Sequence, residues 1–305
     1  MRIVRGLESY PSDASASVVA LGVFDGVHCA HRAILDAAVT RAREAGLVAL
    51  ACTFDPHPAE VLSPGRAPAP ITTLGERLDL IAGAGLDATV VLAFSRDLAV
   101  LEPEAFVEAV LLDRLRARAV VVGFNHRFGR AARGDARLLE SLAGRLGFAA
   151  HVVPPLVVDG GPVSSTAVRM ALQAGDVEAA MRLLGRAYSV TGPVVPGAAR
   201  GRTLGFPTAN VQPERPVLVP AGVYACRAET DGDTRRAVVN VGVRPTFEET
   251  VVTVEAHLLD FTSDLYGRRL TLGFQRRLRD EIRFASVDAL RAQIARDIEA
   301  TLARD

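Results

Sequence analysis

Residues 18–31 read Val-Val-Ala-Leu-Gly-Val-Phe-Asp-Gly-Val-His-Cys-Ala-His. Val18 to Phe24 is an unbroken apolar run, and the turn residues Asp25 and Gly26 follow it. His28 and His31 come next, three residues apart. Arg32-Ala-Ile-Leu-Asp-Ala-Ala-Val-Thr-Arg-Ala-Arg43 then has the period of an amphipathic helix. The order is buried strand, tight turn, helix start, with both imidazoles at the junction. A helix start presents unpaired N–H groups and a partial positive charge, which suits an anion such as phosphate. In an open parallel sheet the same junction lies at the carboxyl end of a strand, where such folds bind ligands. Two imidazoles there can donate hydrogen bonds to charge developing on a phosphate during transfer. Spacing alone also allows two polar residues at a helix start, or a metal pair whose third ligand is not evident nearby.

Working outward, Leu47–Phe54 reads as a second buried strand. It ends in the rigid loop Asp55-Pro-His57-Pro58 at the same sheet edge. Residues 59–70, rich in Pro, Ala and Gly, read as a mobile loop. A helix over 74–84, a strand over 88–94, and a helix over 102–115 opening with Pro103 and acidic residues follow. Strands over 119–123 and 148–153 complete the half. Apolar strands alternating with helices predict a doubly wound α/β domain. The strand at 119–123 opens into Gly123-Phe-Asn125-His-Arg-Phe-Gly129, a polar loop on the ligand side or a local turn built on Asn125. Ser164-Ser165-Thr166-Ala-Val-Arg169 has the pattern of a helix N-cap.

A short helix over 176–186 is the last before the pattern changes. From Tyr188 the chain becomes β-type runs broken by Pro and Gly: 188–195, 209–211, 223–229, 236–243, 251–260 and 270–277. Closely spaced strands without intervening helices predict an antiparallel barrel, closed by a helix over 287–303. Two domains are therefore expected, residues 1–186 and 187–305. In Gly201-Arg-Thr-Leu-Gly205-Phe-Pro207-Thr208-Ala-Asn210, two glycines and a proline fix an irregular loop. Thr208 and Asn210 supply oxygens of the kind Mg²⁺ accepts beside ATP phosphates. Glu255 interrupts an apolar, alternating strand; it is an outward surface residue or a placed base.

Composition narrows the function. Of 305 residues, 49% are hydrophobic and 23% charged, as in a globular protein with ample core. Lys+Arg 35 balances Asp+Glu 35, so neither nucleic acid nor an anionic membrane is the expected partner. Every basic residue is arginine. With no lysine there is no Walker A lysine, no protein-kinase strand lysine and no Schiff-base lysine. Cys29, Cys52 and Cys226 are few and scattered, as in a reduced, cytoplasmic protein. No signal-peptide core and no run of transmembrane length is expected.

The stretch Gly22–His31 resembles the nucleotidylyltransferase signature H-x-G-H, in the form carried by bacterial bifunctional riboflavin kinase/FMN adenylyltransferases (FAD synthetases). Ala30 stands where that family has glycine. Thr53–Pro58 looks like the family's second nucleotide segment. Gly123–Gly129 is similar to G-x-(D/N)-x-x-F-G, with His126 at a position more often aromatic, and Ser164–Arg169 to S-S-T-x-I-R. Gly201–Asn210 closely resembles the riboflavin kinase signature G-x-x-x-G-x-P-T-A-N. Segments 220–224, 240–247, 254–261, 264–267 and 277–284 follow in family order.

The resemblance implies a Rossmann-like nucleotidylyltransferase domain before a riboflavin-kinase-type barrel. ATP would phosphorylate riboflavin to FMN, and a second ATP would adenylylate FMN to FAD with release of pyrophosphate. It implies His28 and His31 as catalytic groups, and Gly22, Phe24, Asp25, His57, Asn125, Ser164, Ser165, Thr166 and Arg169 as ATP or flavin ligands. In the barrel it implies Glu255 as base and Gly201, Gly205, Pro207, Thr208, Asn210 and Arg279 as ligands, with Mg²⁺ on Thr208 and Asn210. Two alternatives stand beside this reading. One is a riboflavin kinase with altered adenylyl transfer, motivated by Ala30 and His126. The other is a non-catalytic flavin-binding regulator. Oligomeric state is not legible.

Overall fold

A computed structural model describes residues 1–197, 201, 205–245 and 250–303. Arg202, Thr203 and Leu204 of the expected ATP loop, and Thr246 and Phe247 of the segment 240–247, lie outside the described residues. The chain forms two compact units, Met1–Ser165 and Thr166–Asp305.

The first unit is a parallel sheet of six strands: β1 (Arg2–Arg5), β2 (Ser17–Leu21), β3 (Val48–Asp55), β4 (Ala88–Ala93), β5 (Ala117–Gly123) and β6 (Ala149–Val153). Their order is β1-β4-β3-β2-β5-β6. β2 is buried along its whole length, as its unbroken apolar run requires of a central parallel strand. The helices are α1 (Cys29–Ala45), α2 (Pro58–Leu62), α3 (Leu74–Ala82), α4 (Arg96–Ala99), α5 (Pro103–Phe106) and α6 (Ala136–Leu146). One face of the sheet carries a core that includes Leu21, Val90, Leu111 and Leu139, and the other a core that includes Phe24, Leu35, Ala38 and Ile81. The chain winds outward from β2 in both directions, so the β2/β5 boundary is the topological switch point where such sheets bind ligands.

Three elements differ from expectation. Pro58–Leu62 is a helical turn inside the stretch read as a loop, because His57 caps it and Pro58 is preset for a first turn. The helix expected over 102–115 is α-helical only through Phe106 and continues as π-helix over Val107–Arg114. Strand β1 carries no periodic signal, since only Val4 of its four residues is buried.

After the small hairpin β7 (Val157–Val158) and β8 (Gly161–Pro162), helix α7 (Ser165–Gln173) leads into the second unit. This unit contains α8 (Val177–Leu184) and a closed antiparallel barrel: β9 (Tyr188–Val195), β10 (Ala209–Val211), β11 (Gly222–Thr230), β12 (Asp233–Pro245), β13 (Thr250–Leu258) and β14 (Arg269–Arg279). Helix α9 (Val287–Leu302) ends it. The compact units divide after the first residue of α7, whereas the change from helices to strands in the sequence falls after α8. At the α7–α8 turn, Gly175 lies so close to Arg277 that a β-carbon there would sit 3.0 Å from Cδ of that arginine.

Candidate active sites

The loop after β2 is shaped by three residues in the left-handed region, Phe24 (φ 54°), Gly26 (φ 82°) and Val27 (φ 38°). It delivers His28 to the N-cap of α1. There His28 Nδ1 accepts the backbone N–H of His31 at 3.2 Å. An accepting ring nitrogen carries no hydrogen, so the His28 proton sits on Nε2 while this bond stands. The two imidazoles stack with centroids 3.6 Å apart and planes at 14°. Burial above all, then His28 and the Arg77 guanidinium, pushes the His31 pKa well below the ordinary histidine value. His31 is therefore a neutral ring at physiological pH, and its Nδ1 is buried without a hydrogen-bond partner among the described residues. Ala30 lies in the first turn of α1 with ordinary helical backbone. Its methyl costs nothing in backbone strain, and only a ligand approaching the main chain would feel it.

The other expected elements of the first unit reach the same end of the sheet. Ser165 Oγ donates to Asp25 O at 3.0 Å, which joins the first residue of α7 to the histidine loop. Ser164 directly precedes it; Thr166 and Arg169 follow on α7, Thr166 exposed and Arg169 half-buried. His57 leaves β3, beside β2, and its Nδ1 accepts Ala59 N–H at 3.1 Å, again directing the ring proton to Nε2. Asn125 is exposed at the end of β5, across the switch point. Its loop is closed by a turn from His126 N to Gly123 O at 3.0 Å and by paired bonds between Phe128 and Gly134. His126 stacks on Phe128 at 5.9 Å and 18°, and burial lowers its pKa to about 4. It is neutral and packs as an aromatic ring, so its departure from the family pattern is chemically small. The neighbouring Phe124 is 44% exposed, a flat apolar surface at the crevice that sequence reasoning did not single out.

Three of the expected ligands, Gly22, Phe24 and Asp25, are buried within the loop itself. Phe24 is fully buried, edge-on to His31 at 5.3 Å, and so presents no surface to a ligand. A β-carbon at Gly22 would stand 3.0 Å from the Phe24 ring, so this glycine makes room for Phe24. The Asp25 carboxylate, 2% exposed, accepts the backbone N–H groups of Ile71 (3.0 Å) and Thr72 (3.2 Å) and the Thr72 hydroxyl (3.3 Å). It braces the loop from below.

In the barrel, burial alternates along β13. Val254, Ala256 and Leu258 fill the interior, and Glu255 and His257 lie half-buried on the outer face. Asn210 on β10 and Asn240 on β12 flank Glu255 directly across the strands. The three side chains form one polar row, and Glu281 Oε1 accepts Asn240 Nδ2 at 3.3 Å beside it. A cavity of about 420 Å³ opens on the other face of these strands, lined by Pro207, Thr208, Ala256, Leu258, Asp264 and Tyr266 among others. His257 Nδ1–H donates to Pro207 O at 2.8 Å and its ring meets Phe206 edge-on, which holds the loop bearing Thr208. Sequence reading missed His257; its place two residues from Glu255 on an alternating strand was the available signal.

Glycine is demanded where the loop presses on these side chains. A β-carbon at Gly197 would collide with the Asn210 amide, and one at Gly201 with Phe206 O, while standing 3.1 Å from Thr208 Oγ1. Gly205 takes a left-handed φ of 87°. Arg279 Nε and Nη2 grip the Asp297 carboxylate of α9. This pairing ties the last barrel strand to the helix.

A helix capped by stacked histidines at the switch point of a parallel sheet, and a barrel with an acid between two amides, are the two candidate sites of a phosphate-chemistry enzyme. Residues 10–167 match the FAD synthetase family and residues 184–304 the riboflavin kinase family. The bifunctional riboflavin kinase/FMN adenylyltransferase of Pseudomonas fluorescens is 40% identical over 99% of this chain and 97% of its own. That of Escherichia coli K12 is 38% identical over 97% and 96%, and that of Bacillus subtilis 36% over 93% and 91%. The chain belongs to the bifunctional riboflavin kinase/FMN adenylyltransferase family. A solved structure described as a macrolide-efflux protein from Streptococcus pneumoniae has the same fold, with TM-score 0.93 and 31% identity over all of both chains. Among the described residues, no helix is long and apolar enough to cross a membrane.

Proposed function

We propose that this protein makes FMN from riboflavin and FAD from FMN at two separate sites, each at the expense of ATP. The observation that carries the reading is that one chain holds two constellations: His28, His31 and Ser165 around the β2 loop, and Asn210, Glu255 and Asn240 across the barrel strands. The domain limit near residue 186 belongs to this proposal, since the riboflavin kinase match begins at 184.

At the barrel, the riboflavin 5′-hydroxyl attacks the γ-phosphorus of ATP and ADP leaves. Glu255 takes the hydroxyl proton, with Asn210 and Asn240 opposite it on the neighbouring strands. The cavity beside Thr208 takes the nucleotide. Thr208 and Asn210 are hard oxygen donors pressed into place by Gly201 and Gly197, and they fit a Mg²⁺ that also rides on ATP phosphates. Among the described residues no cluster of three His, Cys, Asp or Glu side chains could hold a metal alone, which suits an ion brought by the nucleotide. Bound Mg²⁺ would offset phosphate charge in a chain without lysine.

At the parallel sheet, an FMN phosphate oxygen attacks the α-phosphorus of ATP and pyrophosphate leaves. A phosphate dianion needs no general base. The Nε2–H of His28, the neutral ring of His31, Asn125, and the hydroxyls and amides of Ser164 and Ser165 stabilise the charge that develops. His57 stands beside them at the end of β3. Riboflavin, FMN and ATP are the partners, and the protein works in the cytoplasm. Purified protein given riboflavin, ATP and Mg²⁺ should form FMN first and FAD after it, as chromatography of the flavins over time would show. FMN that accumulates without FAD would favour a kinase with altered adenylyl transfer, and bound but unconverted flavin a regulator.

A further inference from the structure

Arg77 lies on α3, beneath the histidine loop, and is 4% exposed. Its Nη1 donates to Phe54 O at 2.9 Å and to Val23 O at 3.2 Å, with Thr53 Oγ1 at 3.5 Å. Thr53 Oγ1 itself donates to Val23 O at 2.9 Å. Phe54 is next to last on β3, and Val23 follows β2 by one turn residue. One guanidinium nitrogen thus ties together the carboxyl ends of the two strands from which the His28/His31 loop and the His57 loop depart. The chain leading into α3 is part of the same brace. Thr72 Oγ1 accepts Gly26 N–H at 3.1 Å, the Asp25 carboxylate binds Ile71 and Thr72, and a Thr73–Glu76 capping box sets the first turn of α3.

We propose that Arg77 is a positioning residue for adenylyl transfer, fixing the separation of the two site loops from inside the fold. This rests on the adenylyltransferase reading given above. Burial excludes contact with a substrate, so Arg77 acts only through the loops it holds. A buried arginine is a costly way to join two carbonyls that a shorter donor could serve, and its charge is used as well. His31 is faced by His28 at its own helix start and by Arg77 from α3. Arg77 is faced in turn by Asp25, Asp55 and Glu60, which oppose the burial that lowers its pKa. The guanidinium therefore lends positive potential to the phosphate site and adds, after burial and His28, to what lowers the His31 pKa.

The test compares Arg77→Met and Arg77→Lys with the parent. It uses FAD formation from supplied FMN, FMN formation from riboflavin, and an NMR titration of the His31 ring. In Arg77→Met, kcat for FAD formation should fall about 10- to 100-fold, the cost of a loop misplaced by an ångström or so. The KM for FMN should change little and FMN formation should persist. The His31 pKa should rise in Arg77→Met and stay low in Arg77→Lys, because lysine restores the charge without the planar fork. A simple structural role predicts a lower melting temperature and a smaller active fraction, with kcat per folded molecule and the His31 titration as in the parent. That result would overturn the proposal. If the parent itself formed no FAD, the adenylyltransferase reading would fail first. A His31 titration unmoved by Arg77→Met would still remove Arg77 from its role.

Discussion

Arg279 and Asp297 form a two-pronged ion pair between the last barrel strand and α9. Arg279 Nε is 3.1 Å from both carboxylate oxygens and Nη2 is 2.8 Å from Oδ2. From the same helix Gln293 Nε2 donates to Asp297 Oδ1 at 2.8 Å, and the Arg279 guanidinium lies 5.8 Å from the centre of the Phe284 ring. The Asp297 side chain is 6% exposed and that of Arg279 20%. A pair so enclosed is worth little relative to an apolar substitute, yet breaking it leaves one charge stranded.

Asp297→Asn should therefore destabilise the barrel unit by about 3 kcal/mol in urea unfolding. The double variant Asp297→Leu with Arg279→Met should recover much of that loss. If Asp297→Asn unfolded like the parent, α9 would not depend on this pair.

His126 gives the chain a pH dependence of definite sign. Its folded-state pKa of about 4 lies below the ordinary 6.5. Below 6.5 the unfolded chain takes a proton that the folded protein refuses until about pH 4. Stability thus falls as pH drops through that window, by about 2 kcal/mol between pH 7 and pH 5 from this ring alone. His31 and His151 shift the same way and add to the slope. His126→Phe should keep the stacking on Phe128 and flatten the slope by its share. Equal slopes for variant and parent would mean that the ring is not protected from protonation in the folded state.

The strands were legible because their residues carry the signal themselves: apolar runs in β2 and β3, and strict alternation around Glu255 in β13. Glu255 stood out as the one carboxylate in that pattern, and the structure sets it between Asn210 and Asn240. Other roles depend on partners far along the chain. Asp25 reads as a turn residue beside a phosphate site until Ile71 and Thr72, 46 and 47 positions away, take its carboxylate. The partner of Arg279, Asp297 on α9, is 18 positions away and is likewise invisible in the local sequence. Arg77 carries no signal of its own in the sequence, and only the crossing of α3 under two strand ends buries it. Strand β1 has no pattern to read because it lies at the sheet edge and buries only Val4.

Glu255→Gln keeps the size and the cross-strand contacts of the side chain but cannot take a proton. Turnover of riboflavin to FMN should fall about 10²- to 10⁴-fold, with an unchanged melting temperature. FAD formation from supplied FMN should continue at the parental rate. A variant that still phosphorylates riboflavin at full rate would exclude Glu255 as the base.

The most direct test of two separate sites is a flavin time course with His28→Ala protein, given riboflavin, ATP and Mg²⁺. The substitution removes the Nε2–H donor, worth about 10²-fold or more at a charge-stabilising position, and a helix cap worth about 1 kcal/mol. FMN should appear at the parental rate and accumulate, with FAD formation nearly abolished. If FMN and FAD formation fell together in a protein that remains folded, the two chemistries would share a site and the account would be wrong.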